Sequence, residues 1–286
     1  MAKCGVCFRH CELREGETGF CGGRICRDGV VQAANYGLVT SLGLDPVEKK
    51  PLHRFYPGKL VLSVGSYGCN LRCPFCQNHE ISWSAKALRG AMRMERFHPE
   101  ELVSLALEYK NRGNIGLAFT YNEPLIGWEF VRDTAKLCHE AGLKTVLVSN
   151  GTAELSVLEA LGGTIDAMNI DLKGFTERIY RELLGGDFEM VKAFIARAVQ
   201  LCHVELTTLI VPGENDSEEE MRRLSRWVAG LRDAEGRIIG PDVPLHVSRF
   251  FPRFRMKDRD ATEVSVVYRL ADVAREELRY VYTGNC

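Results

Sequence analysis

The chain has 286 residues, of which 45% are hydrophobic and 26% are charged, a composition that indicates a globular protein and excludes a disordered or fibrous one. Lys and Arg total 37 and Asp and Glu total 38, so the net charge of −1 creates no field that would recruit nucleic acid or anionic lipid. No apolar run approaches the roughly 20 residues that a membrane span needs, and we expect neither a nucleic-acid partner nor a membrane.

After residue 55, predicted strands alternate with predicted helices. Apolar runs rich in β-branched residues predict strands, and amphipathic stretches of helical period predict helices. In chain order these are a strand at 60–66, a helix at 99–112, a strand at 115–121, a helix at 127–141, a strand at 144–149, a helix at 153–161, a strand at 165–171, a helix within 177–201, a strand at 204–211, a helix at 217–231, a strand at 244–250, a helix at 262–277 and a further strand at 280–283. Six β/α units predict parallel strands with right-handed crossovers, in a barrel or an open doubly wound sheet.

Polar residues gather where the predicted strands end. Both parallel architectures place chemistry at the carboxyl ends of their strands. The segments that follow the first five strands are Cys69 to Cys76, Asn122-Glu123-Pro124, Ser149-Asn150-Gly151, Asp171-Leu172-Lys173 and Pro212-Gly213, and His246 lies in the sixth strand. This edge of the sheet is therefore the candidate functional site.

Eleven cysteines are the most informative feature of the composition. The first residues lack the basic patch and apolar stretch of a secretory signal, so we expect a cytoplasmic protein whose thiols stay reduced. Clustered cysteines in that compartment indicate metal binding rather than disulfides. Two groups stand out, one in the first 26 residues and one at Cys69, Cys73 and Cys76, whereas Cys138 and Cys202 fall on apolar faces and are expected in the core.

The composition changes near residue 55, which predicts a cysteine-rich N-terminal segment at 1–55 and a barrel domain at 56–286. In the first segment Cys4, Cys7, Cys11 and Cys21 could bind zinc or an auxiliary iron–sulfur cluster, or supply redox-active thiols, with Cys26 nearby and His10 as an alternative ligand. Their spacing does not decide between zinc and iron. Zinc is preferred because nothing else in the segment resembles a ferredoxin fold.

The second group has the spacing Cys69-x3-Cys73-x2-Cys76, and the next cysteine is Cys138. Three thiolates on one compact loop can hold one face of a 4Fe-4S cluster and leave one iron without a protein ligand. A structural zinc site would need four nitrogen or sulfur ligands. The spacing therefore favours an open cluster over a zinc knuckle or a chance group of buried cysteines.

This triplet, with the aromatic Phe75 just before its last cysteine, resembles the signature of the radical S-adenosylmethionine (SAM) enzymes. Residues 68–78 are similar to the pyruvate formate-lyase activating enzymes. The N-terminal cysteine pattern together with residues 44–51 and 121–124 resembles the AmmeMemoRadiSam system radical SAM subfamily. The resemblance covers nearly the whole chain and implies an α/β fold, a partial (β/α)6 TIM-like barrel, with a 4Fe-4S cluster on the three cysteines and SAM as cofactor.

The resemblance also implies an activity. A radical SAM oxidoreductase cleaves SAM reductively to give a 5'-deoxyadenosyl radical that abstracts hydrogen from a substrate. A one-electron reductant such as flavodoxin or ferredoxin would be a partner. The substrate could be a glycine in a partner protein, as for activating enzymes, or another molecule, and the lateral opening of an incomplete barrel favours a macromolecule. The alternative is a non-catalytic iron–sulfur electron carrier or metal-binding interaction module.

Finally, the resemblance implies the residues that bind SAM. Glu123 and Asn122 occupy the segment that holds the amino group, since a carboxylate accepts hydrogen bonds. The remaining candidates, which approach or line the SAM site in relatives, are Phe75, Ser149, Asn150, Asp171, Lys173 and His246. Structural alternatives are a helix-capping role for Glu123, an ion pair of Asp171 with Lys173, and a core position for His246.

Overall fold

The structure, a computed structural model, describes residues 1–84, 86 and 94–286, and its centre is an eight-stranded sheet. The strands are β1 (Ala2–Lys3), β2 (Glu12–Leu13), β3 (Arg24–Arg27), β4 (Val30–Ala33), β5 (Leu38–Val39), β6 (Ser41–Pro46), β7 (Leu60–Gly65), β8 (Glu95–Arg96), β9 (Asn114–Thr120), β10 (Lys144–Ser149), β11 (Ala167–Asp171), β12 (His203–Ile210), β13 (Leu245–Arg249) and β14 (Val281–Gly284). The central sheet has the order β14-β13-β12-β11-β10-β9-β7-β6, and β1-β2, β3-β4 and β5-β8 form two-stranded sheets.

Spatial order follows chain order through the parallel part of the sheet. Strands β7 and β9 to β14 pair in parallel, each with the next along the chain. Every crossover therefore advances in one direction, as in a barrel, whereas a doubly wound sheet reverses direction at a switch point. The partial-barrel prediction is confirmed, as is the seventh strand near the C-terminus. Among the described residues β6 and β14 are the two edges, so the sheet does not close.

The helices connect these strands on the outside. Within the described residues, the α-helices are His79–Ser82, Pro99–Glu108, Trp128–Glu140, Leu155–Ala160, Phe188–Ala198, Glu218–Ala229 and Val264–Arg275. Single turns of 3-10 helix lie at Val47–Lys49, Lys110–Arg112, Pro124–Gly127 and Gly240–Asp242, and a π-helical turn at Ile179–Leu184. Two helices begin at side-chain caps, since Asp187 accepts from the Met190 N–H and Ser217 from the Glu220 N–H. No helix in the described ranges is long and apolar enough to cross a membrane.

One edge strand was not predicted from the sequence. Strand β6 pairs antiparallel with β7 although it contains Gly43, Asp45 and Pro46 and lacks a clear alternation of apolar residues. Its Asp45 Oδ2 accepts hydrogen bonds from Lys50 Nζ at 2.9 Å and the Tyr121 hydroxyl at 2.9 Å. The segment before residue 55 thus contributes to the central sheet, and the division of the chain at that residue stays a prediction.

A buried carboxylate on β12 anchors the segment that precedes β7. Glu205 accepts from the backbone N–H groups of His53 at 2.9 Å and Arg54 at 2.7 Å, and it contacts the Nε2 atoms of His203 at 3.0 Å and His246 at 2.7 Å. Burial by itself would raise the pKa of Glu205, but these hydrogen bonds lower it to about 2. The ionised form is therefore stabilised by folding.

Acid is expected to remove this contribution. The ordinary pKa of a glutamate is 4.5, so the stabilisation is complete above that pH and is lost as the pH falls towards the folded-state pKa. The shift corresponds to about 3 kcal/mol. Denaturant unfolding of Glu205→Gln should show a lower free energy of unfolding than the wild type at pH 7 and a smaller difference at pH 3. The exposed Glu235→Gln is the control, and equal pH profiles for wild type and Glu205→Gln would contradict the assignment.

Candidate functional site

The three-cysteine loop follows β7 at the carboxyl end of the sheet. Cys73 is buried, Cys69 and Cys76 are partly exposed, and all three are free thiols. The loop begins at Gly68, whose φ of 89° lies in the left-handed region and where a Cβ would stand 2.5 Å from the Cys21 carbonyl oxygen. Only glycine permits this close approach, so the loop packs directly on the N-terminal segment.

The chemistry of this loop fits a cluster with three protein ligands. Burial raises the pKa of Cys69 well above its ordinary value and the pKa of Cys73 to about 12, while the Lys173 ammonium opposes the rise at Cys73. Such thiols release protons when they bind a metal. Among the described residues no three His, Cys, Asp or Glu converge closely enough to hold a single metal ion. Cluster ligands lie farther apart because each binds a different iron, so the three thiols suit a cluster better than one zinc ion.

Glu123 joins the ends of β9 and β10. It is 2% exposed, and its carboxylate accepts from the Leu125 N–H at 3.0 Å, the Ser149 hydroxyl at 2.8 Å and the Asn150 N–H at 2.8 Å. Burial raises the pKa of Glu123 to about 7 even though these hydrogen bonds favour the charged form. The hydrogen bond from Leu125 corresponds to the helix-capping role that the sequence offered as an alternative. The hydrogen bonds from Ser149 and Asn150 connect the ends of the two strands, which the sequence did not reveal.

A chain of amides continues from Glu123 to the cysteine loop. Asn150 donates to the Asn70 Oδ1 at 2.9 Å and lies 3.7 Å from the Cys69 sulfur, while Asn70 donates to the Thr152 carbonyl at 2.8 Å. Asn122 holds the start of the same loop, because its side chain accepts from the Ser66 N–H at 3.0 Å. The structure therefore brings Asn122, Glu123, Ser149 and Asn150 together around Cys69.

Asp171 and Lys173 form an ion pair after β11. Lys173 Nζ lies 2.7 Å from Asp171 Oδ2, and the two side chains are 16% and 32% exposed. Burial would lower the pKa of Lys173, but Asp171 and Cys73 raise it, so the ammonium stays charged. The Lys173 N–H also donates to the Tyr180 hydroxyl at 3.0 Å. This pair sits beside Cys73, and its predicted contact with SAM stays a prediction.

Two other predicted residues lie in packed surroundings. Phe75 is 8% exposed and its ring meets Phe250 edge-on at 6.5 Å. The His246 ring stacks on Tyr282 at 5.2 Å, lies 4.7 Å from His53 and bonds to Glu205. These contacts connect His246 to the inner side of the barrel rather than to the cysteine loop. They correspond to the core alternative, and the place of His246 beside SAM stays a prediction.

Sequence analysis missed several residues that shape this site. Asn70 lies inside the cysteine loop, and Arg9 lies between cysteines of the first group. Their position next to cysteines is the sequence signal that could have identified both residues. Arg9 donates to the Asn70 carbonyl at 2.8 Å, and Arg72 donates to the Cys69 carbonyl at 2.6 Å. Tyr180, which supports Lys173, has no such signal because it belongs to a π-helical turn. Cys138 is fully buried as expected, and Cys202 is partly buried against the core.

Comparisons with known proteins point to one family. A model described as the Radical SAM superfamily matches residues 63–225. The chain is 39% identical over 285 residues to Uncharacterized protein MJ0808 of Methanocaldococcus jannaschii. The alignment covers 99% of this chain and 81% of that protein. It is 29% identical over 192 residues to a pyruvate formate-lyase-activating enzyme of Clostridium pasteurianum, covering 64% of this chain and 75% of that enzyme.

A solved structure supports the same fold. Streptococcus suis SuiB bound to S-adenosylmethionine superposes with a TM-score of 0.58 at 14% identity, over 80% of this chain and 52% of the SuiB chain. At this identity the likeness concerns the fold alone. It agrees with the open, mainly parallel sheet of this chain.

Proposed function

Because the chain belongs to the radical SAM superfamily, we propose that it cleaves SAM reductively and abstracts hydrogen from a substrate. The observation that carries this proposal is the three-cysteine loop at the carboxyl end of β7, with the Asp171–Lys173 ion pair at Cys73 and the Glu123 network at Cys69. An electron carrier would need neither an open iron nor polar strand ends around it.

Each group of residues at the candidate site would have a separate role in this reaction. When bound, the cluster and SAM supply a 5'-deoxyadenosyl radical after one electron arrives from a reductant such as flavodoxin or ferredoxin. Cys69, Cys73 and Cys76 would bind three irons. Lys173 offers a charged donor for the SAM carboxylate, and Glu123 holds the strand ends that surround Cys69. The buried Phe75 helps to exclude water beside Cys76.

The test is anaerobic reconstitution of the full chain with ferrous iron and sulfide, followed by reductant and SAM. We expect 5'-deoxyadenosine and methionine, measured by liquid chromatography and mass spectrometry. A protein that carries a reducible cluster and yields no 5'-deoxyadenosine would instead support the electron-carrier alternative.

We further propose a macromolecular substrate, of which a glycine in a partner protein is one form. The open sheet between β6 and β14 in the described part of the chain leaves a lateral approach to the strand ends, and the similarity to an activating enzyme agrees with this. Deuterated extract fractions should transfer label into 5'-deoxyadenosine from the protein fraction. Label that comes only from the low-molecular-weight fraction would contradict this substrate class.

Replacing Lys173 with methionine is expected to weaken SAM binding. Loss of one charge-assisted hydrogen bond of about 1.5–3 kcal/mol corresponds to a rise in the Kd for SAM of roughly 10- to 100-fold. Iron content should stay unchanged, because the ammonium is not a ligand. Equilibrium binding of SAM to the reconstituted protein measures the effect, Lys192→Met on the helix Phe188–Ala198 is the control, and an unaltered Kd would exclude Lys173 from the SAM site.

A further inference from the structure

Four cysteines of the N-terminal segment line a single hollow. Cys4, Cys7, Cys11 and Cys21 all face it and all are free thiols. Three of them are buried, and Cys11 is partly exposed. The fold brings them together, because the short strands β1 and β2 pair and the Cys4 N–H donates to the Cys11 carbonyl at 2.9 Å. The fold thus places four thiols from different parts of the N-terminal segment around the same hollow.

The other candidate ligands of this segment have different partners. His10 Nε2 lies 3.2 Å from Glu154 Oε1, and Cys26 is 1% exposed with its sulfur 4.0 Å from Glu15 Oε2. Neither residue lines the hollow. The set of ligands is therefore four cysteines, which is complete by itself for a metal centre.

The charges around the hollow suit an anionic group. Arg9 and Arg24 both line it. Arg24 pairs with Glu129 at 2.7 Å, so its charge is compensated, whereas Arg9 donates to the neutral carbonyls of Asn70 and Gly185. The Arg9 guanidinium is near enough to the thiols of the hollow to interact with them electrostatically. It would offset the negative charge that four thiolates carry.

The arrangement of the thiols favours a cluster over a single ion. Among residues 1–84, 86 and 94–286 no group of three or more potential ligands could hold one metal ion, and this applies to both cysteine groups. One of these groups, Cys69, Cys73 and Cys76, belongs to a family that binds a cluster, and four cysteines around one hollow can bind a cluster with one thiolate on each iron. We propose that Cys4, Cys7, Cys11 and Cys21 bind a second iron–sulfur cluster, of the 4Fe-4S type with a cysteine on every iron. This proposal differs from the zinc site that the sequence alone favours.

The second cluster would lie beside the first. Asn70 lies between the two groups, since its Oδ1 is 4.0 Å from the Cys69 sulfur and its backbone carbonyl accepts from Arg9, which lines the hollow, at 2.8 Å. Arg9 interacts with thiols of both groups as well. A cluster with a cysteine on every iron has no open iron that could bind SAM. We therefore assign the second cluster a redox role rather than a second site of SAM cleavage.

The experiment counts metal and sulfide in the anaerobically reconstituted full chain. Wild type should hold about eight irons and about eight sulfides, whereas Cys4→Ala/Cys21→Ala and Cys69→Ala/Cys73→Ala/Cys76→Ala should each hold about four. The triple variant should still give the electron paramagnetic resonance signal of a reduced cluster although it cannot cleave SAM. That signal tests the second cluster separately from the proposed function. Cys26→Ala, which removes a buried cysteine outside the hollow, is the matched control and should keep the wild-type iron content.

Zinc provides the opposing outcome. If ferrous iron, sulfide and zinc are supplied together and wild type takes up one zinc with only about four irons, the cluster assignment is wrong. Absence of iron from the triple variant would also overturn it, provided that circular dichroism shows the wild-type fold. If Cys4→Ala/Cys21→Ala fails to fold, Cys11→Ser, at the most exposed of the four ligands, takes its place and should lose about four irons.

Discussion

Replacing Cys73 with alanine is expected to abolish reductive cleavage of SAM, down to the level of a protein-free control. Cys73 is the buried member of the three-cysteine loop, so its loss leaves two ligands at most for the first cluster. Iron content should fall by about four atoms per chain. The fold should survive, because truncation of one thiol in a loop that is also held by backbone hydrogen bonds costs about 1 kcal/mol. Anaerobic assays of 5'-deoxyadenosine with parallel iron analysis measure both effects.

The matched control is Cys202→Ala, which removes a partly buried thiol that packs on the core. It should keep the iron content and the activity of the wild type. A Cys73→Ala protein that formed 5'-deoxyadenosine at the wild-type rate would show that this loop does not hold the reactive cluster.

Replacing Glu123 with glutamine is expected to lower SAM cleavage by about 10- to 100-fold, which is typical when a residue that orients the surroundings of a metal ligand is changed. Whichever way the glutamine amide turns, its NH2 faces a backbone N–H that Glu123 now accepts from, so Leu125 or Asn150 must move. Asn150 lies against the Cys69 sulfur, and its displacement reaches the cluster site. Glu123 acts here as a positioning residue.

The pH dependence of stability gives a second signature of this carboxylate. Because burial raises its pKa from 4.5 to about 7, folding favours the protonated form. The contribution of Glu123 to the free energy of unfolding is complete below pH 4.5 and is lost as the pH rises through 7. The loss amounts to about 3 kcal/mol. The wild type should show this decline in its free energy of unfolding, and Glu123→Gln should not.

Ser149→Ala serves as the comparison for Glu123→Gln. It removes one donor and leaves the carboxylate in place, so the pH-dependent decline should remain and the loss of activity should be smaller. A Glu123→Gln protein with wild-type activity and a wild-type pH profile would contradict the role of Glu123 in holding the strand ends.

Much of the fold was predictable because it is encoded in neighbouring residues. Apolar runs rich in β-branched residues located the parallel strands within a few residues, and the helix predicted at 217–231 begins after the side-chain cap Ser217. The edge strand β6 was missed, since Gly43 and Pro46 weaken any strand pattern. It is stabilised by Asp45, whose partner Tyr121 is far away in sequence.

The sequence by itself determined that the chain forms parallel β/α units and that three cysteines share one loop, because periodicity and short spacing need no knowledge of distant residues. Only the tertiary structure decided which polar groups meet. Strand register joins Glu123 to Asn150 and His246 to Glu205, and loop packing places Asn70 between Cys69 and Arg9. A buried polar side chain is satisfied by whatever partner the fold brings within hydrogen-bonding distance. That partner depends on the alignment of elements far apart in the chain, which no local pattern records.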